Sequence, residues 1–206
     1  MHAEAEIIWY EKLGSTNDEA RRRLPDLANL SVVSTKSQSA GRGQGDHSWY
    51  STPGTNLTFS FVLHYADFDA PLPVSDALLI TCLTTLGIRE YLLSEGIEAR
   101  IKWPNDIWVG DKKICGILIE NILDEDKVAH SIIGVGLNVN EEGWPAELPN
   151  PVSMFELSGK KRDLNEALTR LHRQICRHAA MLDTPEGRAY LLDTFNRYMF
   201  RLPAGN

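Results

Sequence analysis

The sequence predicts an α+β domain, or a mixed-sheet α/β one, on three observations. β-Rich segments and helical patterns are mixed along the chain, and three β-rich runs, 100–108, 113–120 and 128–139, follow one another at its centre. A Gly110-Asp111 turn after the first run favours antiparallel pairing there. The length of 206 residues, 43% of them hydrophobic, suits one domain that buries roughly 70% of its unfolded surface.

The elements follow in order. Residues 7–13 read as a short strand, and Ser15-Thr16-Asn17-Asp18-Glu19 opens a helix to about residue 24, with hydroxyl and carboxamide groups available to cap it. A β-rich run covers 30–35, then a long mobile loop, rich in Gly and polar residues, covers 39–51. Residues 55–65 alternate and are β-branched or aromatic, so they form a strand. The longest helical pattern, 74–94, carries no charge from 77 to 88 and should be mostly buried. A Trp-Pro-Asn-Asp break interrupts the 100–108 strand, and 141–151, with three prolines, is a second loop. Helices at 164–181 and 186–200 close the pattern.

The composition excludes a disordered chain, a collagen and a coiled coil. A net charge of −7 gives no support for general binding to nucleic acid or an anionic membrane. Cys82, Cys115 and Cys176 form no ligand cluster and read as reduced, packed thiols of a cytoplasmic protein. The first residues, 1–12, lack the basic start and apolar stretch expected of a signal peptide, and the charge-free stretch 47–66 is interrupted by Pro53, Gly54 and Asn56, so it is not expected to cross a bilayer.

Four motifs ask for chemistry. Ser39-Ala40-Gly41-Arg42-Gly43-Gln44-Gly45 combines glycines, which let backbone N–H groups approach an anion, with a bidentate cation. It is neither a Walker A loop nor a GxGxxG fingerprint. Lys102-Trp103-Pro104-Asn105-Asp106 presents an ammonium, a carboxamide and a carboxylate in one turn, a trio suited to a metal–phosphate site. Lys112-Lys113-Ile114-Cys115-Gly116-Ile117-Leu118-Ile119-Glu120 and Gly134-Val135-Gly136-Leu137-Asn138-Val139-Asn140 are strands with glycines where something approaches closely. Taken singly, each has an ordinary structural reading: a flexible loop, a charged turn, an alternating strand, a glycine bulge.

In this order and at these separations the four together resemble the catalytic domain of monofunctional biotin–protein ligases. Ser15-Thr16-Asn17, Gln38, Trp49 and the Asn56-Leu57-Thr58-Phe59-Ser60 strand fit the same pattern, which runs from about residue 7 to 201. The resemblance implies a mixed β-sheet flanked by helices, related to class II aminoacyl-tRNA synthetases and lipoate ligases. It implies an enzyme that activates biotin with ATP and Mg²⁺ as biotinyl-5′-AMP. The biotinyl group then passes to a lysine of a biotin carboxyl carrier protein domain.

Residue by residue, it places Lys113 beside the carboxylate and α-phosphate, with Arg42 and Lys102 as further positive charge. Asp106 helps hold Mg²⁺ and is a candidate acceptor of the incoming lysine's proton. Biotin falls to Ser15, Thr16, Asn17, Gln38, Gly41, Arg42, Trp49, Gly116 and Gly136, and the nucleotide to Arg42, Gln44, Asn105, Lys113 and Asn138. Gln44 stands where many members carry a second Arg, His47 where they carry Arg or Asn, and Asp46 adds an acidic group. Phosphate affinity is therefore expected to lean on Lys113 and Mg²⁺. One catalytic domain is expected over 1–206, without an N-terminal helix-turn-helix and ending about where the family's small C-terminal β-domain begins. Members are monomers or homodimers, and neither nucleic acid nor membrane is expected as a partner. Two other readings stand beside this one: a lipoate or octanoate ligase, and a non-catalytic biotin-binding protein. Loops 39–48 and 141–151 are expected to order over biotinyl-AMP.

Overall fold

The computed structural model describes residues 4–45 and 47–202, so Asp46 of the glycine-rich loop lies outside the described residues. In chain order the strands are β1 (Ile7–Tyr10), β2 (Val32–Thr35), β3 (Leu57–His64), β4 (Arg100–Lys102), β5 (Asp106–Val109), β6 (Lys112–Asp124), β7 (Lys127–Leu137) and β8 (Met199–Phe200). The helices are α1 (Thr16–Arg23), α2 (Leu78–Ser94), α3 (Met154–Ser158), α4 (Leu164–Ala179) and α5 (Pro185–Tyr198). All eight strands join one mixed sheet in the order β1-β2-β3-β7-β6-β5-β4-β8. β1 runs parallel to β2 and β8 parallel to β4, and the other pairings are antiparallel. The α+β expectation holds.

Strand alternation sorts the side chains. Phe59, Phe61, Ile107, Ile117, Ile133 and Val135 point into the main core, against Leu83, Leu86 and Ile88 of α2 and Leu168, Leu171 and Ile175 of α4. The segment Val74–Ser94 is long and apolar enough to span a bilayer, with a mean hydropathy of 1.3, but 67% of its most apolar 18-residue stretch is buried here in the central core helix. A Cβ at Gly87 would stand 3.0 Å from Ile175 Cα, so glycine lets α2 and α4 approach closely.

The opposite face is only partly covered. α1 packs over β2, β3 and β7 there, with Ala20, Leu24, Val33, Val62 and Ile132 in a smaller cluster. Ser15 caps α1, accepting from the Asp18 N–H at 3.4 Å, while acidic residues open the helix and Arg21, Arg22 and Arg23 close it. Toward β5 and β6 that face stays open.

Three elements differ from expectation. The interrupted strand 100–108 is a hairpin: β4 and β5 pair antiparallel across a turn that holds the cis Trp103–Pro104 bond. The last helix stops at Tyr198 rather than Phe200, and β8 lies beside β4, its Phe200 carbonyl accepting from the Trp103 N–H at 2.9 Å. Tertiary pairing there overrides helical continuation. α3 was not anticipated, although Ser153 and Glu156 form a capping box and Gly159 ends the helix at φ 67°.

Candidate active site

A cavity of about 890 Å³ opens on the uncovered sheet face. Its floor is backbone: Gly116 and Gly136 are cross-strand partners on β6 and β7, with Gly134 two residues along. A Cβ at Gly116 would come within 2.9 Å of the Trp49 ring, and one at Gly136 would collide with it. The indole therefore rests on this glycine pair. A Cβ at Gly134 would collide with the Asn17 carboxamide in the same way.

At the α1 end, Gln38 Oε1 accepts from the Thr16 N–H at 2.9 Å. Ser60 Oγ lies 2.8 Å from Thr16 Oγ1 and donates to Asn17 Oδ1 at 2.6 Å. Asn17 Nδ2 donates to Glu120 at 2.8 Å. Arg42 spans two carboxylates, Asp18 at 2.7 Å and Glu120 at 3.1 Å. Burial pushes the Glu120 carboxyl up, but hydrogen bonds from Asn17 and Arg42, with the charges of Arg42 and Arg21, outweigh it and hold it below the usual glutamate range.

The glycine-rich loop carries its own tethers. Arg42 bridges Ser48, Gly43 N–H donates to His47 O at 2.7 Å, and Trp49 N–H donates to Gly41 O at 3.0 Å. A Cβ at Gly41 would stand 2.6 Å from Gln38 Nε2 and 2.8 Å from Trp49 O, so close backbone approach requires glycine there. Gln44 and His47 line the cavity as exposed residues of this loop.

At the β5–β6 end a bulge sets the chemistry. Ile107 pairs with Cys115 and Trp108 with Lys113, which leaves Ile114 extra. Ile114 and Cys115 both enter the core, and Lys113 is thereby turned onto the cavity face. Its Nζ lies 2.8 Å from Asp106 Oδ1 and 5.8 Å from the Trp49 ring centroid. Lys102 Nζ sits 4.7 Å from the Trp108 ring centroid.

Two carboxamides have distinct positions. Asn105, 5% exposed, donates to Ile117 O and so ties the turn to β6. Asn138 Nδ2 donates to Val152 O at 3.0 Å and Lys113 O at 3.4 Å, which fixes the orientation of the amide. Its Oδ1 is buried with no partner among the described residues, as are the indole N–H groups of Trp49 and Trp108. These are cavity-lining residues with hydrogen bonds left to make.

Among the described residues no three His, Cys, Asp or Glu side chains gather as a metal cage. Two carboxylates line the cavity, Asp106 and Asp111, and Asp106, beside Lys113, fits Mg²⁺ of the kind completed by phosphate oxygens and water.

Sequence reasoning missed Glu141, Ser60 and Trp108. Glu141 is 4% exposed and accepts from Thr52 N–H at 3.0 Å, Thr55 Oγ1 at 2.9 Å and Asn56 Nδ2 at 2.8 Å. Ser153 Oγ also donates to Glu141 O at 2.6 Å. Partners more than 80 residues away leave no local signal. Ser60 was legible as the end of the Asn56-Leu57-Thr58-Phe59-Ser60 strand that fits the family pattern, but with no role of its own.

The structure thus brings Lys102, Asp106, Lys113, Gly116, Gly136 and Asn138 into one cavity with Ser15, Thr16, Asn17, Gln38 and Trp49. Arg42 lines it too, but its guanidinium is held at the α1 end by carboxylates, whereas Lys113 pairs with Asp106 on β5.

The cavity thus combines a glycine floor, hydrogen-bonding side chains and cations on one face of a mixed sheet. The chain belongs to the biotin/lipoate A/B protein ligase family, whose model matches residues 10–138. The bifunctional ligase/repressor BirA of Bacillus subtilis (strain 168) is 35% identical over 167 residues, covering 76% of this chain and 48% of that protein. The biotin–[acetyl-CoA-carboxylase] ligase of Paracoccus denitrificans is 32% identical over 186 residues, covering 82% of this chain and 71% of that one. A biotin protein ligase from Aquifex aeolicus, solved in complex with biotin and ATP, superposes with a TM-score of 0.78 at 25% identity over 95% of this chain and 78% of that chain. The chain spans about half the length of the Bacillus relative.

Proposed function

We propose that this chain activates biotin with ATP and transfers the biotinyl group to a lysine of a biotin carboxyl carrier protein domain. The observation that carries the reading is one cavity with hydrogen-bonding groups at one end of a glycine floor and Lys113, Asp106 and Lys102 at the other.

The first half-reaction brings two anions together, and unit charges 4 Å apart repel by about 4 kcal/mol at an effective dielectric of 20. Lys113 and Lys102 offset that repulsion and the charge that develops at the α-phosphate. A biotin carboxylate oxygen bonds to the α-phosphorus, the bond from that phosphorus to the bridging oxygen breaks, and pyrophosphate leaves. Mg²⁺, held by Asp106, would neutralise phosphate charge. Ser15, Thr16, Asn17 and Gln38 surround the ureido group of biotin, the Gly116 and Gly136 backbones approach it closely, Gly41 acts from outside the cavity lining through its close contacts with Gln38 and Trp49, and Trp49 covers the apolar part of biotin. Asn138 Oδ1 is an unused acceptor suited to the adenine amino group. Arg42 contributes to phosphate binding only by loosening its contacts with Asp18 and Glu120, with Gln44 beside it as a neutral donor. Asn105 acts by holding its turn in place.

In the second half-reaction the acceptor amine attacks the acyl carbon, the bond to AMP oxygen breaks, and AMP departs. The amine proton passes to Asp106 or to solvent. Water must be excluded meanwhile, because the mixed anhydride hydrolyses. Loops 39–48 and 141–151 serve as that cover. We place the reaction in the cytoplasm, where Cys82, Cys115 and Cys176 stay free thiols. Neither DNA nor a membrane enters this reading. Sedimentation decides between monomer and homodimer.

Mass spectrometry after incubation with biotin, ATP and Mg²⁺, with lipoate and octanoate in parallel, tests the proposal. Biotinyl-5′-AMP and pyrophosphate from biotin alone are expected. A lipoyl or octanoyl adenylate would move the substrate to the other branch of the family, and bound biotin without adenylate would indicate a sensor.

A further inference from the structure

Three cations line the cavity and each is anchored differently. Arg42 contacts Asp18 and Glu120, and Lys113 contacts Asp106. Lys102 has no carboxylate within ion-pair distance among the described residues; its ammonium lies 4.7 Å from the centre of the Trp108 ring. The difference is electrostatic. A carboxylate cancels much of a cation's field at a ligand, whereas an aromatic face anchors the ammonium without adding net charge. Lys102 therefore keeps its charge for an anion.

Trp108 is set there by the fold. It stands on β5 between Arg100 of β4 and Lys113 of β6, on the cavity face, and its ring meets Phe200 of β8 edge-on at 6.2 Å. Sheet pairing on both sides fixes the Trp108 backbone, and Phe200 packs against its ring.

We propose that Trp108 is a positioning residue for adenylate formation: its indole face holds the Lys102 ammonium, uncompensated, for the polyphosphate of ATP. The inference rests on the ligase reading and adds a division of labour to it. Lys113 works at the α-phosphate, and Lys102 receives the negative charge that accumulates on the departing pyrophosphate.

Steady-state pyrophosphate release, with biotin affinity measured separately, tests this on Trp108→Leu, Trp108→Phe, Lys102→Met and the Trp108→Leu/Lys102→Met double variant. Trp108→Leu should lower kcat/KM for ATP by about 5- to 30-fold, the scale of a partly desolvated cation–π contact, with biotin affinity within about twofold. Trp108→Phe, which retains a π face, should lose less than about threefold. In the Lys102→Met background Trp108→Leu should add under about twofold, because the group it positions is gone. An equal loss in that background overturns the inference, as does a Trp108→Phe chain as slow as Trp108→Leu. Should the leucine variant not fold, tryptophan analogues with increasing fluorination at position 108 keep the shape and weaken the face; kcat/KM for ATP should fall along the series, and a flat series rejects the proposal. A parent chain that forms no adenylate removes the ligase reading and this inference with it, whereas an active parent with a flat series removes this inference alone.

Discussion

Lys113 is the side chain on which most of the proposed chemistry converges. Its ammonium reaches the cavity only because Ile114 is bulged into the core, and Asp106 holds it at 2.8 Å. Lys113→Ala should slow adenylate formation by at least about 100-fold, the scale for losing one group that stabilises developing charge. Rapid-quench measurement of biotinyl-AMP checks it, and a loss under about threefold would remove the assigned role. Glu120 has a different task, gathering Asn17, Arg42 and Arg21 at the α1 end of the cavity. Its folded carboxyl titrates below the usual 4.5, so its contribution to stability is fully present above that pH and is lost as the pH falls through the lower folded value. Glu120→Gln should cost about 1–2 kcal/mol at pH 7, in the range for a hydrogen-bonded charged group, and the gap from the parent should close under acid. Urea unfolding at pH 7 and pH 3.5 measures it; a gap independent of pH would contradict the assignment.

At the scale of elements, the two loops around the cavity are anchored by long-range contacts. The Glu141 carboxylate holds residues 52, 55 and 56, and Trp144 Nε1 donates to Glu156 of α3 at 3.1 Å. Glu141→Ala would strand several donors, each costing about 1–3 kcal/mol when buried and unpaired, so a drop in thermal midpoint of several degrees is expected by calorimetry. Limited proteolysis reports on the loops themselves. Cleavage within 39–48 and 141–151 should slow in the parent once biotin and ATP are added, and Glu141→Ala should lose that protection. Equal cutting of the parent with and without ligands would remove the lid role. The longer helices were legible from their residue patterns, and α1, α4 and α5 also carry local caps, Ser15, Asp163 and Thr184-Pro185, whereas the five-residue α3 was too short to be read despite its capping box. β8 was not legible either, because two residues become a strand only through pairing with β4.

For the whole molecule, the sheet divides labour between its faces. One face is sealed by α2, α4 and α5 and buries Cys82 and Cys115. Burial pushes the Cys82 thiol up to about 12, and Cys115 is also pushed up, principally by burial. Both should resist alkylation at pH 8 until the chain unfolds, while Cys176, less buried, should react first; mass spectrometry of timed iodoacetamide samples checks the order. A Cys115 that reacts as fast as Cys176 would show that the core opens locally. The other face is left open beyond α1, and there the glycine floor and the cations meet.

The sequence by itself determined the alternation of β3, the capped helices, the glycines of the floor and the four motifs that resemble one family, since each is a matter of local conformation or residue type. Only the tertiary structure decided that Arg42 rests on carboxylates 24 and 78 residues away, that Trp49 lies on Gly116 and Gly136, that Asn105 is committed to the Ile117 carbonyl, and that Lys102 sits on an indole. Those pairings depend on which strands become neighbours and on a single extra residue in β6. They are set by packing over long separations, where a one-residue shift in register exchanges the two faces of a strand.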